Sequence, residues 1–541
     1  MVATSSKSAP PSHGGTDEQA HPRQKLILAA MILAVSMTFI DQTIVSLAIP
    51  QIQRELHLSP GGIQWVVNAY LLVLAATFAF GGRLSDIFGH RTMVTVGTVI
   101  FAGASALNGA VPVGSIAEPW MITFRALQGL GAALMLPAAL AIVVSSYDLS
   151  KRGKALATFF GIAGAMTAVG PIAGGYLTEW TWRSIFWINV PIAIGALVLI
   201  KISNPPQERR PARIDTTGLL LVALGMGGSV FGLQQAGAWG WTNPVVLGSI
   251  VGGVALLFVF VGIEIRTHEP LVQLRIFKDR AFAVENLILF FAMVAFVPVF
   301  FFASMYAQIS LGKSASNAGM YLLTFFLGFA PATQMAGRRM DKEGAKGTVV
   351  LGCILAAVGF YLWAGELTDL SENAQFWYMV MAGAGIGFML GPASTDAVNR
   401  AEPGSYGEVS GITQTVRNYG ASIGLAVLGT ILVTQTRAHI QESLAGFGIP
   451  KGRADAIAAS LSQSSGGSQS SGFAHHAGQN ADKIFHAVQL DYAQAMQYVF
   501  YGMAGAMAVA AVIAIKGLAD GRQSQTDNTS VEAQSPQGAS L

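Results

Sequence analysis

The chain has 541 residues, of which 52% are hydrophobic and only 11% are charged, and its mean hydropathy is +0.51. A soluble protein carries about 25% charged residues, so this composition excludes an ordinary soluble domain and predicts an integral membrane protein. The formal net charge of +3 excludes the strongly basic class of nucleic-acid-binding proteins. The single cysteine, Cys353, excludes an intramolecular disulfide and a metal site built from cysteines.

Hydrophobic segments long enough to cross a bilayer, which takes about 20 mostly apolar residues, occur fourteen times. The predicted spans are 26–49, 63–81, 93–111, 119–143, 155–177, 184–202, 217–236, 245–265, 283–307, 317–336, 347–366, 375–397, 409–434 and 492–516. The first is too long for a cleaved signal peptide and carries Asp41 too deep. Polar tails at 1–25 and 517–541 are predicted to be disordered. The predicted fold class is an all-α integral membrane protein.

Basic residues are distributed unequally between the two sides of the membrane. If the N-terminus is cytoplasmic, the cytoplasmic tails and loops hold 23 of the 32 Lys and Arg residues, and the six short outer loops hold 3. A further 4 lie in the long outer loop 435–491, and Arg125 and Arg417 lie within spans. Because cytoplasmic loops carry an excess of Lys and Arg, we predict that both termini are cytoplasmic.

A short charged motif occurs after the second span and again after the tenth. Residues 81–91 read GGRLSDIFGHR, and residues 337–346 read GRRMDKEGAK. Both copies keep a glycine, an acid, a second glycine and a base at the same spacing. In the first copy these residues are Gly82, Asp86, Gly89 and Arg91, and Arg83 follows the first glycine. In the second copy they are Gly337, Asp341, Gly344 and Lys346. Because glycine has no Cβ, we expect the glycines to permit a turn between closely packed helices.

A second repeat divides the chain into two halves. GLGAALMLPAA (129–139) in the fourth span returns as GIGFMLGPAS (385–394) in the twelfth, so both repeats are eight spans apart. Internal repeats of parallel halves are typical of secondary transporters. If each half has six spans, two extra helices lie between them. We predict an N-terminal bundle over 26–202, an inserted helix pair with cytoplasmic linkers over 203–280, and a C-terminal bundle over 281–516.

Four motifs together resemble the signatures of one transporter family. They are IDQTIVSLAIP (40–50), GRLSDIFGHR (82–91), RALQGLGAA (125–133) and GAMTAVGPIAGG (164–175). With these motifs and fourteen spans, the chain resembles the fourteen-helix drug/proton antiporters of the major facilitator superfamily. The resemblance implies the major facilitator fold, with two six-helix bundles and two inserted helices. It also implies that the charged motif latches the halves at the cytoplasmic face. The alternative is that its charges only keep the loops inside.

Asp41 is the leading candidate for coupling transport to protons. It lies nine residues before Pro50, hence roughly 13 Å below the outer end of the first helix, where an ionised carboxylate is costly and usually functional. Arg125 in the fourth span lies at a similar depth. We expect the two to alternate between an ion pair and a broken, protonated state, with a static structural pair as the alternative. The polar residues expected around them are Gln42, Gln64, Asn68 and Gln128.

The fifth span carries a face of small residues in the spacing of the antiporter-type signature. Small faces let membrane helices approach closely, and proline removes a backbone hydrogen bond and bends the helix. We therefore expect this helix at the interface over which the halves move, with ordinary membrane packing as the alternative. The residues are Gly164, Gly170, Pro171, Gly174 and Gly175.

The C-terminal half has charges of its own near the cytoplasmic ends of its spans. They are Glu285, Asp396 and Arg417. Charges inside spans usually mark a pathway or a pair. Two interpretations stay open: a second proton site or cation contact, or a cluster that stabilises the gate.

The resemblance implies export of amphipathic, possibly cationic drugs, dyes or antibiotics in exchange for protons, by alternating access. A dedicated exporter of one endogenous product, such as an antibiotic, siderophore or lipid, is the alternative, and a channel or membrane-embedded enzyme is more distant. No G-x-x-x-x-G-K-[ST] phosphate loop occurs, so we expect the proton gradient, with no cofactor, to supply the energy. We expect a monomer in the cell membrane, with protons, small substrates and the bilayer as partners, and no nucleic acid, bound metal or enzymatic activity.

Overall fold

The computed structural model describes residues 17–147, 149–207, 209, 215–267, 270, 272, 274–399, 406–446 and 481–518. All regular elements in these ranges are helical. The α-helices are α1 (Asp17–Leu56), α2 (Pro60–Phe88), α3 (His90–Gly109), α4 (Ala117–Ser146), α5 (Leu149–Trp180), α6 (Ser184–Trp187), α7 (Asn189–Ser203), α8 (Thr216–Trp239), α9 (Pro244–Glu264), α10 (Arg280–Ile309), α11 (Ala315–Glu343), α12 (Ala345–Gly365), α13 (Glu372–Asn399), α14 (Tyr406–Gly446) and α15 (Ala481–Gly517). Short 3₁₀ turns occupy Leu274–Lys278 and Leu367–Asp369.

Thirteen of these fifteen helices each correspond to one predicted span, and α6 and α7 together correspond to the sixth. Twelve spans among the described residues are long and apolar enough to cross a membrane. The other two, α5 and α11, have 32 and 29 residues and pack within the bundles. The sixth span consists of α6 and α7, separated at Ile188. Pro191 explains the break, because it lacks the N–H that would bond to the carbonyl of Trp187. The prediction of an all-helical membrane protein is confirmed.

The helices form two bundles with matching contacts. In the N-terminal bundle α4 packs against α2 and α3, and α1 packs against α5 and α7; in the C-terminal bundle α13 packs against α11 and α12, and α10 packs against α14 and α15. The bundles meet through α2 against α14, α5 against α11, and α1 against α10. We call the side where α1 begins and α15 ends the terminal face, and the other side the distal face.

The inserted pair α8–α9 lies outside this arrangement, along the seam between α2 and α14. The side-chain amides of Gln234 on α8 and Asn68 on α2 contact each other at 2.9 Å. On the other bundle, Thr430 Oγ1 of α14 donates to the carbonyl of Leu233 at 2.8 Å. α8 is therefore bonded to both bundles. α9 packs mainly on α8 and leaves large side chains such as Val251 and Phe258 exposed, as a lipid-facing helix does.

Two predicted boundaries are wrong. The tail 1–25 was expected to be disordered, but α1 already begins at Asp17. Arg23 stabilises this extension, since its guanidinium donates to the carbonyls of Ser203 and Asn204 at 3.1 and 3.0 Å. The outer loop 435–491 is shorter than predicted, because α14 continues to Gly446 and α15 starts at Ala481.

The two helix extensions pack against each other at the distal face. Ile440 and Leu444 of α14 are fully buried, and Val488 of α15 is nearly so. Ser443 Oγ donates to Asp491 Oδ1 at 2.7 Å. An apolar face with one polar contact is enough to continue both helices beyond the predicted spans. The remaining loop, 447–480, lies outside the described residues.

Candidate functional site

The centre of the site is a buried ion pair between α1 and α4. Arg125 NH1 lies 2.5 Å from Asp41 Oδ2, and the two side chains are 1% and 0% exposed. Burying two charges is costly unless they are paired and hydrogen-bonded. Here the guanidinium also donates through Nε to the carbonyl of Val66 at 2.8 Å and lies 4.7 Å from the centre of the Tyr70 ring. Arg125 therefore keeps a hydrogen bond and a cation–π contact that do not depend on Asp41.

Gln128, one turn after Arg125 on α4, connects the pair to α3. Its Oε1 accepts from Arg125 NH1 at 3.1 Å and from Asn108 Nδ2 at 2.8 Å. Its Nε2 faces Asp41 Oδ1 at 3.4 Å. Asp41, Arg125 and Gln128 thus form one network, as the sequence predicted, and Asn108 is an additional member that sequence reasoning missed.

A small cavity opens beside this network, between the two bundles. It has room for about one water molecule. Its N-terminal side is largely polar, with Asp41, Gln42, Ser46, Tyr70 and Arg125, together with Val45, Val67 and Leu71. Its C-terminal side consists of Val297, Pro298, Phe301 and Leu425. One wall therefore offers charge and hydrogen bonds, while the other offers apolar surface. Gln42 lies where the sequence predicted it, on the path beside Asp41.

Gln64 and Asn68 do not line this cavity. The amide of Gln64 lies against the backbone of Gly429 on α14, and Asn68 Nδ2 donates to the carbonyl of Ser422 at 3.4 Å as well as contacting Gln234. Positions 64 and 68 share one face of α2, whereas Tyr70 lies about 200° around the helix from Asn68. Their predicted place around Asp41 is wrong, and they belong to the seam between α2, α8 and α14.

The first charged motif forms the junction between α2 and α3. Gly89 alone makes the turn, with φ +94°, a conformation that favours glycine. Gly82 lies within α2, and a Cβ there would meet only Pro137 Cβ at 3.8 Å. Its neighbour Gly81 is the tightly packed residue, since a Cβ there would lie 2.0 Å from the carbonyl oxygen of Ala133. The expectation of a turn role is right for Gly89 and wrong for Gly82.

The turn at Gly89 and Arg91 contacts the segment that follows α7. Arg91 NH1 donates to Asn204 Oδ1 at the end of α7, and Gln207 Nε2 donates to the carbonyl of Phe88 at 3.3 Å. Arg83 and Asp86 are half-buried on the last turns of α2. The motif thus joins α2, α3 and the segment after α7. A latch to the other half stays a prediction.

The second copy repeats the turn between α11 and α12. Gly344 has φ +90° and takes the place of Gly89. Gly337 lies within α11, as Gly82 lies within α2, and nothing lies within 4 Å of its Cβ position. Lys346 is half-buried on the first turn of α12. Asp341 is helical, but its side chain lies outside the described residues. The spatial equivalence of the two turns supports the sequence repeat.

The glycine face of α5 lies between α1 and α11. A Cβ on Gly170 would lie 1.9 Å from Thr43 Oγ1, and one on Gly174 would lie 2.9 Å from Ile44 Cγ1, both on α1. A Cβ on Gly175 would lie 2.7 Å from Ser316 Cα of α11, and a Cβ on Gly319 of α11 would lie 2.3 Å from the carbonyl oxygen of Pro171. Gly164 lies on α5, its surroundings outside the described residues. α5 thus contacts both halves through residues without side chains.

The three charges of the C-terminal half lie on three helices near the terminal face. Glu285 on α10 and Asp396 on α13 are buried. Arg417 on α14 donates to Gln414 Oε1 at 3.2 Å. Neither open interpretation of these charges is tested by this arrangement, and both stay predictions.

Hydrogen bonds join the two halves near the distal face, which sequence reasoning missed. Ser304 Oγ of α10 donates to the carbonyl of Ser46 at 2.9 Å, and Gln308 Nε2 donates to that of Leu47 at 3.2 Å. The carboxylate of Glu179, at the end of α5, accepts from the hydroxyl and from the N–H of Ser316 on the first turn of α11. Such polar residues at helix ends carry no signal in hydropathy, so only the packing identifies them. These contacts join α1 to α10 and α5 to α11 near the distal face.

The helix packing repeats between the halves, but the ion pair does not. Gly170 and Gly174 face the carbonyls of Ile40 and Ile44, and Gly420 and Gly424 face those of Phe290 and Val294 in the same way. By this correspondence Phe291 takes the place of Asp41. On the helix that packs like α4, Gly383 faces the carbonyl of Phe325 as Gly129 faces that of Tyr70. Met379, four residues before Gly383, therefore takes the place of Arg125.

The chain is similar in sequence to known resistance and export proteins. The chain is 32% identical over 427 residues to the tetracenomycin C resistance and export protein of Streptomyces glaucescens, covering 78% of this chain and 79% of that protein. It is 31% identical over 449 residues to the puromycin resistance protein pur8 of Streptomyces alboniger, covering 80% and 87%.

Solved structures show the same fold at low sequence identity. A bacterial homologue of the human lysosomal transporter Spinster, inward-facing and unoccupied, superposes with a TM-score of 0.62 at 17% identity and covers 92% of this chain and 98% of that one. A D-xylose–proton symporter superposes with a TM-score of 0.59 at 14% identity and the same coverage. The family model described as Major Facilitator Superfamily matches residues 31–425. With two matching bundles and this match over most of its length, the chain belongs to the major facilitator superfamily.

Proposed function

We propose that this protein exports amphipathic drugs or antibiotics from the cell in exchange for protons, as a transporter without enzymatic activity. The observation that carries the proposal is the buried Asp41–Arg125 pair beside a cavity between the two halves. Relatives named for antibiotic resistance and export support the substrate class.

The proposed orientation places the terminal face in the cytoplasm. The excess of Lys and Arg in the connections at that face supports it. The chain would then cross the cell membrane with both termini inside, as a monomer, and the contacts at the distal face would close the outer side. With the outer side closed in this way, the charged motifs after α2 and α11 lie at the cytoplasmic side. Their proposed role as a latch would apply to the state in which that side closes.

In the proposed mechanism Asp41 exchanges its partner for a proton. The ionised carboxylate is held by Arg125 and faced by Gln128, so proton uptake competes with these contacts. Once Asp41 is neutral, Arg125 still has Val66, Gln128 and Tyr70 as partners, which lowers the cost of breaking the pair. Protonation from outside would release substrate, and deprotonation inside would restore the substrate-binding state. The two sites are then linked by a coupling free energy, and the proton gradient replaces any cofactor.

The first test is energised uptake of a fluorescent lipophilic cation into inside-out membrane vesicles. We expect uptake by vesicles that contain the protein, and collapse of that uptake when a protonophore removes the gradient. Vesicles without the protein are the control. Correctly inserted protein that gives no uptake of any cationic, neutral or anionic drug in a panel would contradict the proposed function.

A dedicated exporter of one product is the second candidate function. The relatives that favour it are the tetracenomycin C and cephamycin export proteins, each named for a single antibiotic. A susceptibility panel separates the candidates. Protection of a sensitive host against several unrelated compounds supports a multidrug exporter, and protection against one structural class alone supports a dedicated one.

The contact between Glu179 and the first turn of α11 predicts a small, pH-dependent effect on closure of the outer side. Hydrogen bonds from Ser316 and Ser314 hold the pKa of the exposed Glu179 carboxyl below its usual value. The ionised form therefore stabilises the contact at neutral pH, and this stabilisation is lost as the pH falls through the lowered pKa. Because the group is exposed, its contribution is modest.

We expect Glu179→Ala to increase the labelling rate of a cysteine placed at Gln42 by an impermeant maleimide added outside, by about two- to fivefold. The background is Cys353→Ala, which removes the single native thiol. Glu179→Gln, which keeps an acceptor for Ser316, should fall between the native rate and the alanine rate. Equal rates in all three proteins would contradict a role in closure.

A further inference from the structure

Asn108 on α3 is a buried polar residue that none of the family motifs includes. It is fully buried, and its Nδ2 donates to Gln128 Oε1 at 2.8 Å. Its own Oδ1 has no hydrogen-bond partner among the described residues. A buried acceptor without a partner is costly and needs an explanation. The amide nitrogen of Asn108 supplies that explanation, because it donates to Gln128 and so joins Asn108 to the network of Asp41.

The contacts from Asn108 and Arg125 together hold the Gln128 amide with one end facing Asp41, and the contact from Asn108 is the shorter of the two. Gln128 Oε1 accepts from both Asn108 and Arg125, so its oxygen end is held away from the carboxylate. Its NH₂ end therefore faces Asp41 Oδ1 at 3.4 Å. An amide has a donor end and an acceptor end. The donor end matches an ionised carboxylate, and the acceptor end would match a protonated one.

We propose that Asn108 is a positioning residue that, through the Gln128 amide, sets the pH range in which Asp41 exchanges its proton. The inference rests on the proposed proton coupling and adds a residue to it. Asn108 does not touch Asp41 or the cavity. It acts by keeping a donor aimed at the carboxylate, and this favours the ionised state that pairs with Arg125.

In the part of the chain that the structure describes, Arg125 is the charged group in contact with Asp41, so the orientation of Gln128 has a measurable effect. From α4 the charged group is Arg125, and from α2 the titratable group is Tyr70, whose ring also contacts Arg125. From α10 and α14 the cavity receives Val297, Pro298, Phe301 and Leu425, which neither titrate nor donate. Among the described residues, Arg125 and the Gln128 amide thus face the carboxylate as donors, while Gln42 and Ser46 line the same cavity.

The test is the pH profile of Asn108→Leu, with Asn108→Ala as a second variant of smaller volume. Removing the Asn108 donor leaves Arg125 alone to hold the Gln128 oxygen. The amide then turns more readily and presents its oxygen to Asp41 more often, which favours the protonated carboxyl. We expect the midpoint of proton-coupled uptake to move to higher pH by about half a unit to one unit. Infrared titration of the protonated carboxyl band, identified by its loss in Asp41→Asn, should move equally and needs no transport.

Ser105→Ala is the matched control. Ser105 is buried on α3, one turn before Asn108, and its hydroxyl donates to the carbonyl of Phe186 and accepts from Asn189 without reaching Gln128. We expect it to affect stability but leave the pH midpoint unchanged. The Asn108→Leu shift should also disappear in a Gln128→Leu background, because the effect acts through Gln128.

Three results would overturn the inference: an unmoved infrared titration in both Asn108 variants, an equal shift in Ser105→Ala, or a full shift without Gln128. Failure of the proposed function looks different. It would leave native protein without proton-dependent uptake, while the infrared titration of Asp41 still responds to Asn108.

Discussion

Asp41→Asn is expected to abolish proton-coupled uptake while the protein still folds. Asparagine has nearly the shape of aspartate but cannot ionise, so it mimics the protonated state permanently. Arg125 then lacks its anionic partner, although Val66, Gln128 and Tyr70 remain. Removing one member of a buried pair costs about 3–5 kcal/mol when nothing else holds the remaining charge. The remaining contacts of Arg125 should reduce that cost. Uptake in energised vesicles and thermal unfolding in detergent measure the two effects separately.

The double variant Asp41→Asn with Arg125→Met decides between a coupling pair and a structural one. Removing both charges also removes the unpaired guanidinium, so stability should recover relative to Asp41→Asn alone. If the pair couples transport to protons, uptake should stay absent although the protein is stable again. Recovery of proton-coupled uptake together with stability would show that the pair is a structural element only, and another carboxylate would then carry the proton.

Gly81→Ala is expected to prevent normal assembly of the N-terminal bundle, whereas Gly82→Ala should be tolerated. A Cβ at position 81 would lie 2.0 Å from the carbonyl oxygen of Ala133, far inside contact distance, and backbone cannot rotate away as a side chain can. The helices α2 and α4 would have to separate. Overpacking in a close-packed interior costs typically 1–3 kcal/mol and occasionally more, and here we expect the upper end or above.

The neighbouring Gly82 is the matched control, because an added Cβ meets only Pro137 Cβ at an ordinary 3.8 Å. Expression in the membrane and the temperature at which the detergent-solubilised protein aggregates are the measurements. We expect a large loss for Gly81→Ala and little change for Gly82→Ala. Equal behaviour of the two variants would mean that α2 and α4 are not packed as closely as the structure places them.

The sequence alone was sufficient for the fold class and for the central ion pair. Fourteen spans follow from hydropathy, because a helix in lipid must present apolar side chains along its whole length. The division into halves follows from two repeats. The packing makes Gly129 equivalent to Gly383 and so confirms that the fourth and twelfth spans correspond, although the predicted pairing of Gly129 with Gly385 is two residues out of register. Asp41 and Arg125 stood out because charges within apolar spans are rare. Their pairing was expected from depth and the structure brings them together.

The tertiary structure alone decided which neighbours these residues have. Gln64 and Asn68 are as polar as Gln128, but the rotation of α2 turns them toward α8 and α14. Gly81 and Gly82 are adjacent glycines that the sequence does not distinguish. The position of α4 shows that Gly81 is the one that must lack a side chain. Asn108 and Glu179 carry no motif, and their roles come from contacts with α4 and α11. Composition and periodicity show which segments are apolar enough to form membrane helices. Which side of a helix faces which neighbour depends instead on packing between segments that are distant in the chain.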